Sequence, residues 1–526
     1  MSSIEEEKNQ ILYGVSSVLS APVNFANKKT ELKILSDDGS IILSPTPSLD
    51  PADPLNWSLA RKIGIVIIVT VWSAAALSTQ SFLQNFLPNV SERFPNESDS
   101  RINLLVTITS PLVAPGELLL VPIAMTFGRR LCLLIAVVLL IVSSVVGATT
   151  TTYEGLLAAR IIEGLAGGPT DAICFTIVQE ISFTHERGLY IGAVAMGQLI
   201  VQFIFGVVTN YMAVYVGFKW PFVLFSCVSG VCFIALYLFM PETRYKRTTN
   251  EDEQVSLKEW KGRRPLLSNN PDFEPFTFKR QTQVWFGKGD DEYSDFWLIF
   301  RQMAKMCADP IVIWVALINT VSTGGMMGFS IYYATMLESS PWFWNAGNVG
   351  LISFAGLVAA LFNIAVLGYG SDRLLIWYAK RREGKVSPEN RLIPLIIPFV
   401  FSISYLVGFG FLAQDFFGAG TTAHWFSVVF IYFCCYVSFG GILETTYAYL
   451  SSVNTPEMSL AAMTVASVVR DMASFGMSYG ITPFADNCGY KTSFGVYAVL
   501  IAFFSLFGIP VYLYGGKLRS KLNFTV

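Results

Sequence analysis

Twelve apolar stretches, each about as long as a bilayer is thick, leave this chain few folds to choose from. A helix rising 1.5 Å per residue needs roughly 20 apolar residues to cross a ~30 Å hydrocarbon core. Six such stretches lie at about 63–83, 102–125, 131–150, 155–178, 189–214 and 220–240, and six more at about 311–335, 349–370, 392–412, 425–450, 458–480 and 494–514. With no water in that core, each segment must pair its own backbone groups. The expectation is an all-α membrane protein of 12 transmembrane helices in two six-helix pseudo-symmetric bundles. Hydrophobic residues make up 53% of the chain and charged ones 14%, against roughly 25% charged in a soluble domain, which excludes an ordinary soluble enzyme. A net charge of −2 gives no reason to expect a nucleic acid partner; the lipid bilayer is the expected one.

The stretches divide the chain into a tail (1–61), a first bundle (62–240), a polar central loop (241–305), a second bundle (306–514) and a short tail (515–526). The first tail lacks the apolar core of a cleaved signal peptide. Cytoplasmic loops are enriched in Lys and Arg, and the strong clusters fall on one side: Arg129 and Arg130, Arg187, the run from Arg373 to Arg391, and Lys517, Arg519 and Lys521. Both termini are therefore expected in the cytoplasm, with the plasma membrane as first location and a vacuolar or other endomembrane as the alternative. The opposite side carries two glycosylation sequons, at Asn89 and Asn96. The stretch from Asp295 to Met303 separates apolar from charged faces, as an interfacial helix would, and reads equally as the cytoplasmic end of span 7.

Chemistry by metal or cofactor finds little material. His185 and His424 stand far apart, the eight cysteines form no C-x-x-C pattern, and no P-loop is present, so neither a metal site nor a cofactor is expected.

Six plus six helices around a long inner loop resemble the major facilitator superfamily, and the motifs sharpen the likeness. Gly128-Arg129-Arg130 ends a segment similar to the superfamily's G-x-x-x-D-x-x-G-R-R gate loop, with Met125 or Thr126 where the acid would stand. Arg160 to Gly164 resembles an R-x-x-x-G motif associated with proton coupling. Phe183 to Gly188, Asp53 to Ser58, Pro241 to Tyr245 and Arg470 to Gly476 resemble the fungal drug:proton antiporter-type branch, which includes yeast polyamine-uptake carriers and secondary-metabolite transporters such as those for pulcherriminate. The likeness covers about residues 50–520. It implies a secondary transporter working by alternating access, with protons and a small molecule as partners, functional as a monomer. Two departures bear on its direction and substrate. The stretch Gly197 to Gly206 lacks the proline of the exporters' span-5 motif, and Tyr449 to Ser452 lacks the aspartate that relatives carry in span 10.

A charge at bilayer depth costs about 2.5–3.5 kcal/mol, so each needs a partner or a job. The proton-coupling candidates are Glu117, Arg160, Glu163, Asp171, Glu444, Arg470 and Asp471. Arg160 and Glu163, at i and i+3, read as a coupling pair or as simple neutralisation. Asp171 follows a helix-breaking proline near mid-depth, as a proton carrier or as the cap of a broken helix. Arg470 and Asp471 point about 100° apart, so they are not expected to be a simple mutual pair, and one should meet another helix. Cavity candidates are Gln198, Gln202, Asn319, Thr320, Thr323, Phe329 and Tyr332; Gly164 and Gly168 read as packing positions. The leading expectation is a proton-coupled transporter of an organic metabolite, xenobiotic or metal chelate. Organic-cation or polyamine uptake, a non-transporting nutrient sensor and a membrane enzyme are the alternatives. The missing span-10 aspartate and the retained arginines favour an anionic or neutral substrate.

Overall fold

The computed structural model describes residues 32–33, 43, 45–48, 50–83, 90, 93–183, 186–245, 296–344, 346–381, 385–419, 424–454 and 456–521. The spanning helices are α1 (Leu59–Ser81), α2 (Thr109–Phe127), α3 (Arg129–Thr149), α4 (Tyr153–Ile181), α5 (Arg187–Tyr215), α6 (Trp220–Phe239), α7 (Pro310–Glu338), α8 (Gly350–Tyr378), α9 (Pro388–Phe417), α10 (Trp425–Val453), α11 (Pro456–Cys488) and α12 (Tyr490–Lys517). Eleven of these are long and apolar enough to cross a membrane. The exception, α11, has the length, at 33 residues, but carries Arg470 and Asp471 among many small polar residues.

Prolines set the breaks. Pro111 has no N–H for the Thr107 carbonyl, so a separate helix (Asp99–Thr107) precedes α2 where the sequence suggested one span from 102. Pro169 does the same inside α4, which runs as Tyr153–Gly167, a tight turn at Gly168–Thr170, then Ala172–Ile181. Asp171 sits at that joint. In α8, one π-helical turn interrupts the helix at Ile364–Tyr369. Starts are set by caps: the Asp309 carboxylate accepts from Ile311 N (2.8 Å) with Pro310 behind it, and Gly128 opens α3 at a φ of 110°.

Burial separates centre from rim. Of the apolar window of α4, 83% is buried, and of α12 only 22%. Val231 on α6 and Val499 on α12 are among the apolar side chains turned outward, the surface a bilayer covers. α2 packs on α11, and α5 on α8 and α10, so these helices join the two bundles. The amphipathic stretch is a separate helix, Phe296–Met306, lying against both α2 and α11. We call its end of the molecule, which also carries residues 48–57 and 241–245, the terminal face. Away from the helices, Leu32–Lys33 pairs antiparallel with Lys385–Val386.

Candidate functional site

Close approach of α2 to α4 creates the central site. A Cβ on Gly116 would stand 2.5 Å from Leu165 O, and one on Gly168 would stand 2.4 Å from Glu117 N, so only glycine lets these backbones touch. Gly164 meets Leu112 and Thr109 in the same way. The contact sets Glu117 beside the broken joint of α4. From the second bundle, α11 brings Arg470, whose Nη1 lies 2.7 Å from Asp171 Oδ2 and whose Nε donates to Asp471 Oδ1 at 2.7 Å. One turn earlier, Ser467 Oγ donates to Glu117 Oε2 at 2.5 Å. All four charged groups are buried.

Three acids and one guanidinium thus meet across the bundle interface, about 15 Å from the terminal-face end of α4 at 1.5 Å per residue. Asp471 Oδ2 and the neighbouring Tyr447 hydroxyl, both buried, make no hydrogen bond. One expectation needs correcting here. Arg470 and Asp471 do bond to each other, because the long arginine side chain curls back through its Nε while its far nitrogen reaches α4.

Arg160 is placed elsewhere. It is fully buried inside the first bundle, where Nη1 contacts both Glu163 oxygens (2.9 and 3.0 Å) and Thr79 O (2.8 Å), Nε donates to Leu105 O (3.0 Å) and Nη2 to Gln80 O (2.6 Å). It ties the ends of α1 and the helix before α2 to α4.

Among the cavity candidates, Gln198 Nε2 bridges Ser73 Oγ (2.9 Å) and Thr170 O (3.2 Å), and Gln202 Nε2 reaches Ser81 Oγ (3.4 Å). Asn319 Nδ2 joins α7 to α10 through Thr446 Oγ1 (3.0 Å), while the Thr320 and Thr323 hydroxyls are buried without a hydrogen bond. Phe329 and Tyr332 turn into the second bundle, Phe329 edge-on to Phe409 (4.8 Å) and Tyr332 to Tyr490 (5.2 Å). Among the described residues, rings cross between bundles at two places: Phe203 of α5 lies 4.9 Å from Tyr436 of α10, and Phe175 of α4 lies 5.3 Å from Tyr447 of α10.

The terminal face is shut by a second set of contacts. Gln179 Nε2 (3.1 Å) and Arg187 Nη1 (2.8 Å) both donate to Ser451 O, and Ser459 Oγ donates to Gln179 Oε1 (2.9 Å). Asp372, at the end of α8, accepts from Leu189 N (2.7 Å) in the first turn of α5, with Arg391 Nη2 3.7 Å behind it.

The gate loop shows where its missing acid went. Met125 and Thr126 are buried, and the carboxylate beside Gly128 comes from Glu242: it accepts from Arg129 N (2.9 Å) and Arg130 N (3.1 Å). Arg129 Nη2 pairs with Glu180 (2.6 Å), which also accepts from Thr243 Oγ1 (2.6 Å). Arg130 Nη2 donates to Tyr237 O (2.6 Å). Tyr245 continues the chain of contacts by donating to Asp50 Oδ2 (3.1 Å), and burial pushes its hydroxyl up to about 12, so it remains a donor at any physiological pH. Residues 241–245 therefore clasp both the gate loop and the segment before α1. The sequence marks 241–245 only as a likeness and assigns no role to Glu180, Glu242, Asp372 or Phe203. A carboxylate flanking the end of a span is the available signal for Glu180 and Glu242.

Asn96 is exposed on a turn at the face opposite the terminal one. Asn89 and His185 lie outside the described residues, as does most of the central loop.

Residues 63–476 match the family model of the Major Facilitator Superfamily. The chain is similar to an uncharacterized MFS-type transporter of Schizosaccharomyces pombe, 22% identical over 93% of this chain and 90% of the relative. It is also similar to the MFS-type transporter hepF of Aspergillus oryzae, 24% identical over 90% and 93%. Among solved structures, the proton:xylose symporter XylE bound to 6-bromo-6-deoxy-D-glucose shares the fold with a TM-score of 0.57 at 15% identity, over 89% of this chain and 99% of that one.

Proposed function

This chain belongs to the major facilitator superfamily, and on that premise we propose that it is a proton-coupled secondary transporter carrying a small organic solute by alternating access. Its relatives support a membrane transporter rather than an enzyme. The observation that carries the finer reading is the Asp171–Arg470 pair, which joins the bundles at mid-depth through a single charge-assisted contact. A proton on Asp171 takes the place of the guanidinium there. Protonation then loosens α4 from α11, and re-formation of the pair expels the proton and closes the terminal face again. Residues 62–240 and 306–514 are the two moving bodies, one chain completes the site, and both termini face the cytoplasm in the plasma membrane. Asn96, on the far side, is the accessible glycan acceptor.

The substrate follows from what the arginines are doing. A neutral or anionic metabolite or chelate, of the pulcherriminate kind, has the missing span-10 aspartate in its favour and would need Arg160 and Arg470 free to hold it. Arg160 is taken up by Glu163 and three carbonyls, and Arg470 by two aspartates. The excess of carboxylates at the centre, with the unpaired Asp471 Oδ2 and the Phe203–Tyr436 rings toward the far side, favours the second reading, an organic cation.

The test is untargeted mass spectrometry of small molecules, inside and outside cells lacking the protein and cells overproducing it. A cation depleted inside the deletion strain and left in its medium supports cation uptake; an anion or chelate showing that pattern restores the first reading. A compound accumulating inside the deletion strain makes the protein an exporter. No compound moving in either strain leaves the non-transporting sensor as the better account.

A further inference from the structure

Glu444 belongs to neither set of contacts described so far. It sits in α10, is 2% exposed, and neither carboxyl oxygen has a hydrogen bond. Its niche is walled by backbone from both bundles: a Cβ on Gly192 of α5 would stand 2.3 Å from Glu444 Oε1, and one on Gly368 of α8 would stand 3.2 Å away. Gly368 lies in the π-helical turn of α8, the irregularity that opens room for this carboxyl.

The charges around it do not compensate an anion. On α8 the nearest is Asp372, a further acid, whose carboxylate is spent on Leu189 N and Arg391. Arg373, beside it, lies over the Tyr369 ring (4.9 Å). On α5, Arg187 is turned to Ser451 O. Among the described residues Glu444 forms no ion pair. An isolated carboxylate in such a niche costs far more than a neutral acid, which asks only for a modest hydrogen-bond loss. The niche exists only while α5 lies on α8 and α10, so separating the bundles at the terminal face admits water to it.

We propose that Glu444 is a proton-binding gate site distinct from the Asp171–Arg470 cluster, held as the neutral acid while the terminal face is shut and ionised, with its proton passed to entering water, when that face opens. This rests on the alternating-access reading above. Each closure of the terminal face then takes up a proton at α10 independently of the central pair, so acid conditions on that side favour the closed form.

The test uses Ser451, two turns along α10 from Glu444 on nearly the same face and fully buried under Gln179 and Arg187. The full-length chain carrying Ser451→Cys is placed in lipid nanodiscs and labelled with a maleimide from mildly acidic to neutral pH. Labelling is read by peptide mass spectrometry against the exposed Cys307, whose thiol corrects for the reagent's own pH dependence. The parent should show a relative labelling that rises at least about threefold toward neutral pH. Glu444→Gln should lose that rise, whereas Asp171→Asn should label more at acid pH and still rise toward neutral. A Glu444→Gln protein whose labelling rises as the parent's does would overturn the proposal and leave alternating access standing. A parent whose labelling stays flat would overturn the proposal, and one that never labels at Ser451→Cys would overturn alternating access as well. Glu444→Met provides the second variant: if neither it nor Glu444→Gln yields folded protein, the carboxyl is a structural anion and the proposal fails.

Discussion

Replacing Asp171 by Asn removes one charge and keeps the shape, which isolates the contribution of the pair to coupling. Asp171 and Arg470 are 6% and 7% exposed and 2.7 Å apart, so solvent screens them little. Charge centres about 4 Å apart attract by about 4 kcal/mol at an effective dielectric of 20. Losing one partner of a buried pair costs about 3–5 kcal/mol. Asp471 still faces the guanidinium in the variant, so the lower figure applies, about 3 kcal/mol. That is about 100-fold in the balance between the shut and open terminal face. The assay is proteoliposome uptake of the solute identified by the metabolite comparison. With one proton per solute, a gradient of one pH unit supports about tenfold accumulation. Asp171→Asn should bring that ratio to about one while solute-for-solute exchange continues, since exchange needs no net proton movement. Accumulation persisting near the parental ratio would refute the competition between the proton and Arg470 for Asp171.

Three further outcomes follow from other parts of the structure. Arg160→Met should lower stability by about 3–5 kcal/mol, because it strips Glu163 of its cation and three carbonyls of their donor; thermal unfolding in detergent reads this, and Arg160→Met with Glu163→Met should recover much of the loss. If Arg160→Met unfolds like the parent, the residue is not a clamp. Glu242→Gln leaves two α3 N–H groups with a weaker acceptor and should cost about 1–3 kcal/mol; the same unfolding measurement checks it, and the loosened gate loop should also speed proteolysis near residues 125–130. Gly168→Ala puts a methyl 2.4 Å from the α2 backbone, which neither helix can relieve by a rotamer change. It should abolish folded expression or separate Glu117 from Asp171, and normal transport in that variant would show that α2 and α4 need not touch there.

How far the residues alone lead is clearest at α4 and α11. Pro169 announces the break in α4 and the place of Asp171 at that joint, because a missing N–H acts within one turn of its own helix. The charges of α11 likewise announce a helix face that must turn away from lipid. Neither fact says that these two residues meet. That is settled by how closely α2 and α4 approach at Gly116 and Gly168, and by an arginine long enough to serve a neighbour in its own helix and an aspartate in another.

The arginines make the same point about function. Read along the chain, Arg160 and Arg470 are two cations at membrane depth, available to an anionic solute. Read in space, both are already bonded, and among the described residues the buried carboxyl oxygens without a hydrogen bond include one of Asp471 and both of Glu444. At the gate loop no acid stands at Met125 or Thr126, yet Glu242, more than a hundred residues away in sequence, fills the place.

By itself the sequence determined the spanning helices, the proline break of α4, the family and the short set of charged residues inside the spans. Apolar length, proline chemistry and cap residues act within a few turns of one helix, so they can be read without neighbours. The tertiary structure decided which charges pair, which are left over and which helices close the terminal face. Those outcomes depend on distances between helices far apart in the chain, and in a medium without water it is the partner across that gap that sets whether a buried charge is a clamp, a latch or a proton site.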